Sequence, residues 1–464
     1  MNPNIFQTLS VPSDDEIHEI LVKRVDQQKQ AVGIVVGVIE PNGRRIVAYG
    51  NLASDDPRPL DGDTIFEIGS ISKIFTSLLL ADMVNRKEVA LGDPAAKYLP
   101  GHVKVPERNG KSITLLDLSM QTSGLPPFPS NRKLNLTGGE IKDAADLFGF
   151  YSVDDLYQFL SSYTLPRDPG SEIGYSNLGA GLLGHVLACR AGTDYETLLR
   201  GRITQPLGML DTGITFAPSM KQRMAIGHKG NLLPATQLDW DPSHALASAG
   251  ALRSSANDML TFLEAFLGYK ETPLAPAMRA MLEVRRPLGK GSIGLGWIIF
   301  PTDGREIANA DGATLGFCSW AGYDPKERTG AVVLSNSFSS PGVDDIGVHI
   351  LNPKLPLANI ETPKERTQVS IDPKLLDHYI GRYRLGQGTL EITRDGGRLF
   401  AQTLAQINGQ AIAGPKFELF AESEEKFFAK VSNIQVSFET GPECPAARLI
   451  LHKAGRDTLA PRLS

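Results

Sequence analysis

The chain has 464 residues, 41% hydrophobic and 21% charged, with a formal net charge of −5; it is too long for one compact core and too acidic for the basic footprint that a nucleic-acid partner requires. Its three cysteines (Cys189, Cys318 and Cys444) lie far apart, and its eight histidines are scattered with no HExxH-like pair. That pattern argues against a disulfide framework and predicts no metal site.

In chain order, Met1–Ile20 is polar, with Asp14, Asp15 and Glu16 where a signal peptide needs an apolar core, and no stretch is apolar for long enough to span a membrane. The expectation is a cytoplasmic protein without a membrane span, or a periplasmic one if a leader was removed. Ala31–Ile39 is a β-branched run followed by Pro41-Asn42-Gly43 and Arg45–Tyr49, which predicts a hairpin around an Asn-Gly turn. Ser72–Val84 carries Ile74, Phe75, Leu78, Leu79 and Met83 on one stripe and predicts an amphipathic helix. Leu178–Leu187, ending near Gly192, and Asn257–Phe266 predict two more. A late strand pair, Leu315–Tyr323 and Ala331–Ser335, suggests one antiparallel sheet completed by both ends of this region, with a helical region between.

At Asn352 the composition changes. Residues 352–373 are rich in proline and charge and read as a linker. Beyond them come short alternating segments: Leu390/Ile392, Leu399 after the Asp395-Gly396-Gly397 turn, and Ile434/Val436/Phe438. These predict a small all-β barrel or sandwich over 374–464, with no catalytic pattern. The expected fold class is therefore α+β over 1–351, followed by the linker and the all-β module.

Ser70-Ile71-Ser72-Lys73 carries the main chemical signal. Positions i and i+3 share a helix face, so the Ser70 hydroxyl and Lys73 amine can meet at the start of the helix. There the helix dipole favours developing negative charge. A serine hydroxyl needs a base, and a lysine can be one if burial lowers its pKa. Taken alone, a helix-capping serine beside a surface lysine is an equal reading. Ser130-Asn131-Arg132-Lys133 fits the same pattern, in a proline-flanked loop with no apolar helix after it.

The second signal is Tyr175-Ser176-Asn177, just before the next apolar helix. Residues i and i+2 of an extended turn face one cavity, so Tyr175 can relay a proton while Asn177 holds Lys73 and a substrate carbonyl. The bland reading is a core tyrosine with Asn177 as N-cap. Tyr49-Gly50-Asn51 matches the same short pattern at a strand end.

Ser-x-x-Lys followed about a hundred residues later by Tyr-x-Asn, each heading a helix, resembles the serine β-lactamase and penicillin-binding family. Its class C branch, with D-aminopeptidases and related esterases, is the best match. The resemblance spans roughly residues 20–350 and includes the runs beginning at Asp63, Ile113, Thr122 and Gly250, which carry no chemistry in this reading. It implies a β-lactamase-like fold, a Ser70 acyl-enzyme, proton transfer by Lys73 and Tyr175, and no cofactor. The C-terminal β-module resembles an accessory domain of some members.

The family's third element is Lys or His, then any residue, then Gly; here the stretch is Ala310-Asp311-Gly312-Ala313. Gly312 permits close backbone approach, and the Ala313 N–H can join that of Ser70 as an oxyanion hole. Ala310 cannot bind a substrate carboxylate or depress the pKa of Lys73, so neutral esters should be favoured and β-lactam hydrolysis weak. Arg253 is a candidate replacement cation, and Gln121, where many relatives have His, a supporting residue at most. Gly179-x-Gly181-x-x-Gly184 and Gly289-x-Gly291-x-x-Gly294 fit the dinucleotide spacing without its βαβ context and are read as packing glycines, not cofactor sites.

The expected activity is hydrolysis of a small-molecule or short peptide substrate (a β-lactam, an ester or a D-amino-acid amide). A non-catalytic penicillin binder is the alternative.

Overall fold

The β-branched run after Ala31 forms strand Gly33–Glu40, which sits inside a nine-stranded antiparallel sheet. The structure is a computed structural model and describes residues 10–463 except 133–149, 231, 237–239, 361–365, 387, 408–409, 415, 431–433, 440–444 and 454–455. Cys444 and Lys133 therefore lie outside the described residues; Cys189 and Cys318 are free thiols.

Gly33–Glu40 pairs on one side with Gly43–Ala53 and on the other with Thr329–Ser335. Beyond Thr329–Ser335 the sheet continues through Cys318–Asp324, Arg305–Ala313, Ile298–Thr302, Gly291–Ile293 and Arg286–Leu288. Both ends of the region thus complete one sheet, as expected. The hairpin differs in detail: Glu40 pairs with Gly43, so Pro41 and Asn42 form the turn and Gly43 opens the return strand at φ 139°. Leu315 lies in the loop before Cys318–Asp324, and the three short strands at the far edge were not foreseen.

Period-2 alternation divides the central strands between two cores. Ile34, Val36, Val38, Trp320 and Val333 pack under helices Asp14–Val22 and Asp344–Leu351. Val35, Ile39, Ala321, Val332 and Leu334 face the helical region.

Within that region, helix Ser72–Asn85 departs from the amphipathic expectation: Ser72 through Met83 are all buried. It is enclosed by helices Asn177–Ala191, Ala247–Gly250 and Ala275–Glu283. Its polar residues are satisfied by neighbours, Thr76 donating to the Ser248 carbonyl (2.9 Å) and Ser77 paired with Ser119 (2.8 Å). Burial of Phe75, Leu78 and Leu79, each stabilising by about 1.5–3 kcal/mol, fixes this helix as the axis on which the site is built. Helix Asn177–Ala191 ends at Gly192 in the left-handed region (φ 69°). A Cβ on Gly184 would lie 2.3 Å from Ser248, so that glycine serves close packing.

The C-terminal residues form a second antiparallel sheet running from Gly381–Leu385 to Arg456–Pro461. Leu390, Ile392, Leu399, Val436 and Phe438 are buried in it with Tyr379, Tyr383 and Phe427. A bridge between Tyr383 and Arg462 brings first and last strands together, making a nearly closed barrel. Ahead of it, Ile360 accepts from Gln28 (2.9 Å), and the Val369 N–H donates to the Ala421 carbonyl (2.9 Å). No helix among the described residues is long and apolar enough to cross a membrane.

Candidate active site

Strand Ile65–Glu67, paired with Arg253–Ser255, leads into the 3-10 turn Gly69–Ile71 and directly into helix Ser72–Asn85. Gly69 has φ +50°, and a Cβ there would come within 2.7 Å of the Ala313 nitrogen. A Cβ on Gly312 would lie 2.1 Å from the Ile68 carbonyl oxygen and 3.0 Å from the Ser70 nitrogen. Strand Arg305–Ala313 is thus pressed backbone to backbone against the turn that carries Ser70, and Ser319 Oγ, from the neighbouring strand Cys318–Asp324, donates to the Ile68 carbonyl (2.9 Å) just ahead of that turn. Glycine at both positions permits this approach.

Lys73, only 7% exposed, lies one helical turn on. Its Nζ is 2.9 Å from Ser70 Oγ, 2.8 Å from Asn177 Oδ1 and 2.7 Å from the Ala249 carbonyl oxygen. Burial lowers its pKa from 10.5 to about 7, against a smaller opposing pull from Asp311. A neutral amine has two hydrogens and one lone pair. Asn177 Oδ1 and the Ala249 carbonyl can only accept, so the lone pair is left for the Ser70 hydroxyl. That is the arrangement a general base requires.

The Tyr175 hydroxyl is 2.5 Å from Ser70 Oγ and 3.3 Å from Asn177 Oδ1. The residue is 50% exposed, with its hydroxyl end set into the cleft. Burial there raises its pKa, the Ser70 hydrogen bond opposes this, and Asp311 adds to the rise, so the phenol is neutral near pH 7. The N-cap is Ser176, whose Oγ accepts from the Gly179 N–H (2.8 Å). Asn177 is therefore free of capping, and its side chain turns to Lys73.

Gln121 holds this loop from behind: its Oε1 accepts from the Ser176 N–H (2.6 Å) and its carbonyl from the Gly174 N–H (2.7 Å). The run beginning at Gly250 also does more than expected, since the short helix it ends supplies the Ala249 carbonyl, and the Leu252 N–H donates to Ser72 Oγ (3.2 Å).

Arg253 cannot serve as the replacement cation. It is 4% exposed, 3.6 Å from Glu67 and stacked 4.3 Å over Phe216. Ala310 is buried on strand Arg305–Ala313 and borders a narrow crevice with Ser70, Lys73, Tyr175 and Asp311.

In front of Ser70 opens a cavity of about 430 Å³. Phe128, Trp240, Leu246, Leu315 and Phe338 give it apolar walls; Arg132 and Asp311 are charged residues on its lining. Of these walls only Leu315 falls in a stretch that the sequence singles out; Phe128, Trp240, Leu246 and Phe338 lie in loops without any motif. Arg132 had appeared only in a chance Ser-x-x-Lys match, and Asp311 only as the variable residue of the third element. Among the described residues no cluster of three or more His, Cys, Asp or Glu is arranged to hold a metal ion.

Comparison with known proteins agrees with the fold. The Beta-lactamase family profile matches residues 19–351. The D-alanyl-D-alanine-carboxypeptidase/endopeptidase AmpH of Escherichia coli K12 is 29% identical over 319 residues, covering 66% of this chain and 79% of its own length. A class C beta-lactamase from Rhodobacter sphaeroides superposes with a TM-score of 0.58 at 27% identity, covering 70% of this chain and 93% of that one. The octameric penicillin-binding protein homologue from Pyrococcus abyssi shares the fold over 97% of this chain and 100% of its own, with a TM-score of 0.63 at 21% identity.

Proposed function

The chain belongs to the beta-lactamase family of serine hydrolases, and from that premise we propose that Ser70 forms an acyl-enzyme with an amide or ester substrate while Lys73 and Tyr175 move the protons. Ser70 Oγ attacks the substrate carbonyl carbon and its proton passes to Lys73 Nζ. The carbonyl oxygen gains the electron pair and lies against the N–H groups of Ser70 and Ala313. As the carbonyl re-forms, the bond to the leaving group breaks. The leaving group takes a proton from Tyr175, which is replenished from Lys73. Water then attacks the ester, gives its proton back through the same pair, and frees Ser70. Asn177 orients Lys73 and contacts the substrate carbonyl side, and Gly312 keeps the strand close enough for Ala313 to act.

The observation that carries this reading is the convergence of three groups: the Ser70 hydroxyl meets both the Lys73 amine and the Tyr175 phenol within hydrogen-bond distance. The similarity to a D-alanyl-D-alanine carboxypeptidase/endopeptidase and to a class C beta-lactamase supports peptides of D-amino acids and β-lactams as substrate classes. The absence of a cation at Ala310 supports weak β-lactam turnover and relatively better turnover of esters.

Intact-mass measurement after exposure to a penicillin, a chromogenic cephalosporin and p-nitrophenyl esters tests the proposal. Turnover by the native chain that disappears in Ser70→Ala is the expected result. A permanent Ser70 adduct without turnover would make the protein a penicillin binder instead. A chain that shows no adduct and no turnover would overturn the acyl-transfer reading.

A further inference from the structure

We propose that Asp311 makes this site select substrates that carry a cation, a primary amine above all, close to the scissile carbonyl, and reject those that carry a carboxylate there. The inference rests on the acyl-transfer reading above and adds the charge that the substrate must bear.

Along strand Arg305–Ala313, Ala310 and Gly312 are buried while Asp311 is exposed. It borders both the main cavity, with Ser70, Tyr175 and Asn177, and the narrow crevice that runs down to Lys73. Among the described residues its carboxylate makes no hydrogen bond or ion pair. Its charge nevertheless reaches the reacting groups, opposing the fall in the Lys73 pKa and adding to the rise at Tyr175.

The other charged groups of the site are differently placed. The Lys73 amine is turned to Ser70, Asn177 and the Ala249 carbonyl. The Arg132 guanidinium lies 4.7 Å over the Phe128 ring. Asp311 is the one carboxylate on the described lining of the main cavity, otherwise walled largely by apolar side chains. A substrate carboxylate brought beside it meets like charge, whereas an ammonium gains a charge-assisted hydrogen bond, an effect of about tenfold to a hundredfold.

The test uses the p-nitrophenyl esters of 4-(aminomethyl)benzoate, 4-ethylbenzoate and 4-carboxybenzoate. Each kcat/KM is divided by the ester's hydroxide-catalysed rate, to remove intrinsic reactivity. The native chain should prefer the ammonium ester over the ethyl ester by about tenfold or more and use the carboxylate ester worst. In Asp311→Asn the ammonium-to-carboxylate ratio should fall at least tenfold. An unchanged ratio overturns the proposal, and so does a native preference for the carboxylate ester, which would assign recognition to Arg132.

Calorimetric binding of 3-(aminomethyl)phenylboronic acid and 3-carboxyphenylboronic acid provides a readout that needs no turnover. Tighter binding of the amine, lost in Asp311→Asn, supports the assignment; equal or absent binding sinks it. Ser70-dependent turnover of the ethyl ester reports separately on the serine chemistry, so the two readings fail in distinguishable ways.

Discussion

Replacing Lys73 by arginine keeps a positive charge but removes the possibility of a neutral base, since a guanidinium stays protonated throughout the accessible range. With the lysine pKa brought to about 7 by burial, roughly half of the native molecules hold a free amine at neutral pH. The rate of Ser70 acylation should therefore rise with pH through a midpoint near 7 and level off above it. In Lys73→Arg this limb should vanish, with kcat/KM for a neutral p-nitrophenyl ester lower by about 10²–10⁴, the usual worth of a positioned base.

The same burial predicts a stability signature. The folded amine titrates at about 7 and the unfolded one near 10.5, so between these values the unfolded chain binds more protons. Stability should then rise with pH across that window, by up to about 1.4 kcal/mol per unit, and this contribution should be flat below it, where the full penalty of burying the charge is present. Lys73→Met removes the titration. Thermal midpoints of the native chain and Lys73→Met, measured at intervals from pH 7 to 9.5, should converge or cross with the native chain gaining on the variant as pH rises. Parallel pH dependences, together with an acid limb that survives in Lys73→Arg, would refute the assignment of Lys73 as the base.

Tyr175→Phe keeps the ring but removes the hydroxyl that meets Ser70, and should lower kcat/KM about 10²–10³-fold with little change in thermal midpoint, as steady-state kinetics and calorimetry would show. Gly69→Ala forces a side chain into a left-handed backbone position and toward the Ala313 nitrogen. It should destabilise the region by about 1–3 kcal/mol and depress acylation, read by denaturation and by intact mass with a penicillin. Ala310→Lys supplies the missing cation beside the crevice; penicillin acylation should rise about tenfold relative to a neutral ester, and no change in that ratio would contradict the role given to the missing charge.

Much of this molecule was legible from local pattern. The β-branched run after Ala31, the alternation at Leu390/Ile392 and the left-handed stop at Gly192 depend on periodicity and backbone preference, which act over a few residues. Ser70 and Lys73 share a helix face by spacing alone, and Tyr175 and Asn177 share a turn. The helix after Ser70 was misread as amphipathic because its apolar stripe is visible in one dimension, while the helices that bury its polar side come from Asn177, Ala247 and Ala275 onward.

What only the tertiary structure decided was which of these short patterns meet. Tyr175 lies 105 positions from Ser70, the Ala249 carbonyl 176 positions from Lys73, and Ser319 ties itself to Ile68 across 251 positions. The sequence determined the chemistry available at each point of the chain. The closure of the sheet against the turn that carries Ser70 decided which charges share the site, because an electrostatic interaction depends on separation in space and on exclusion of water, and neither is written in sequence distance.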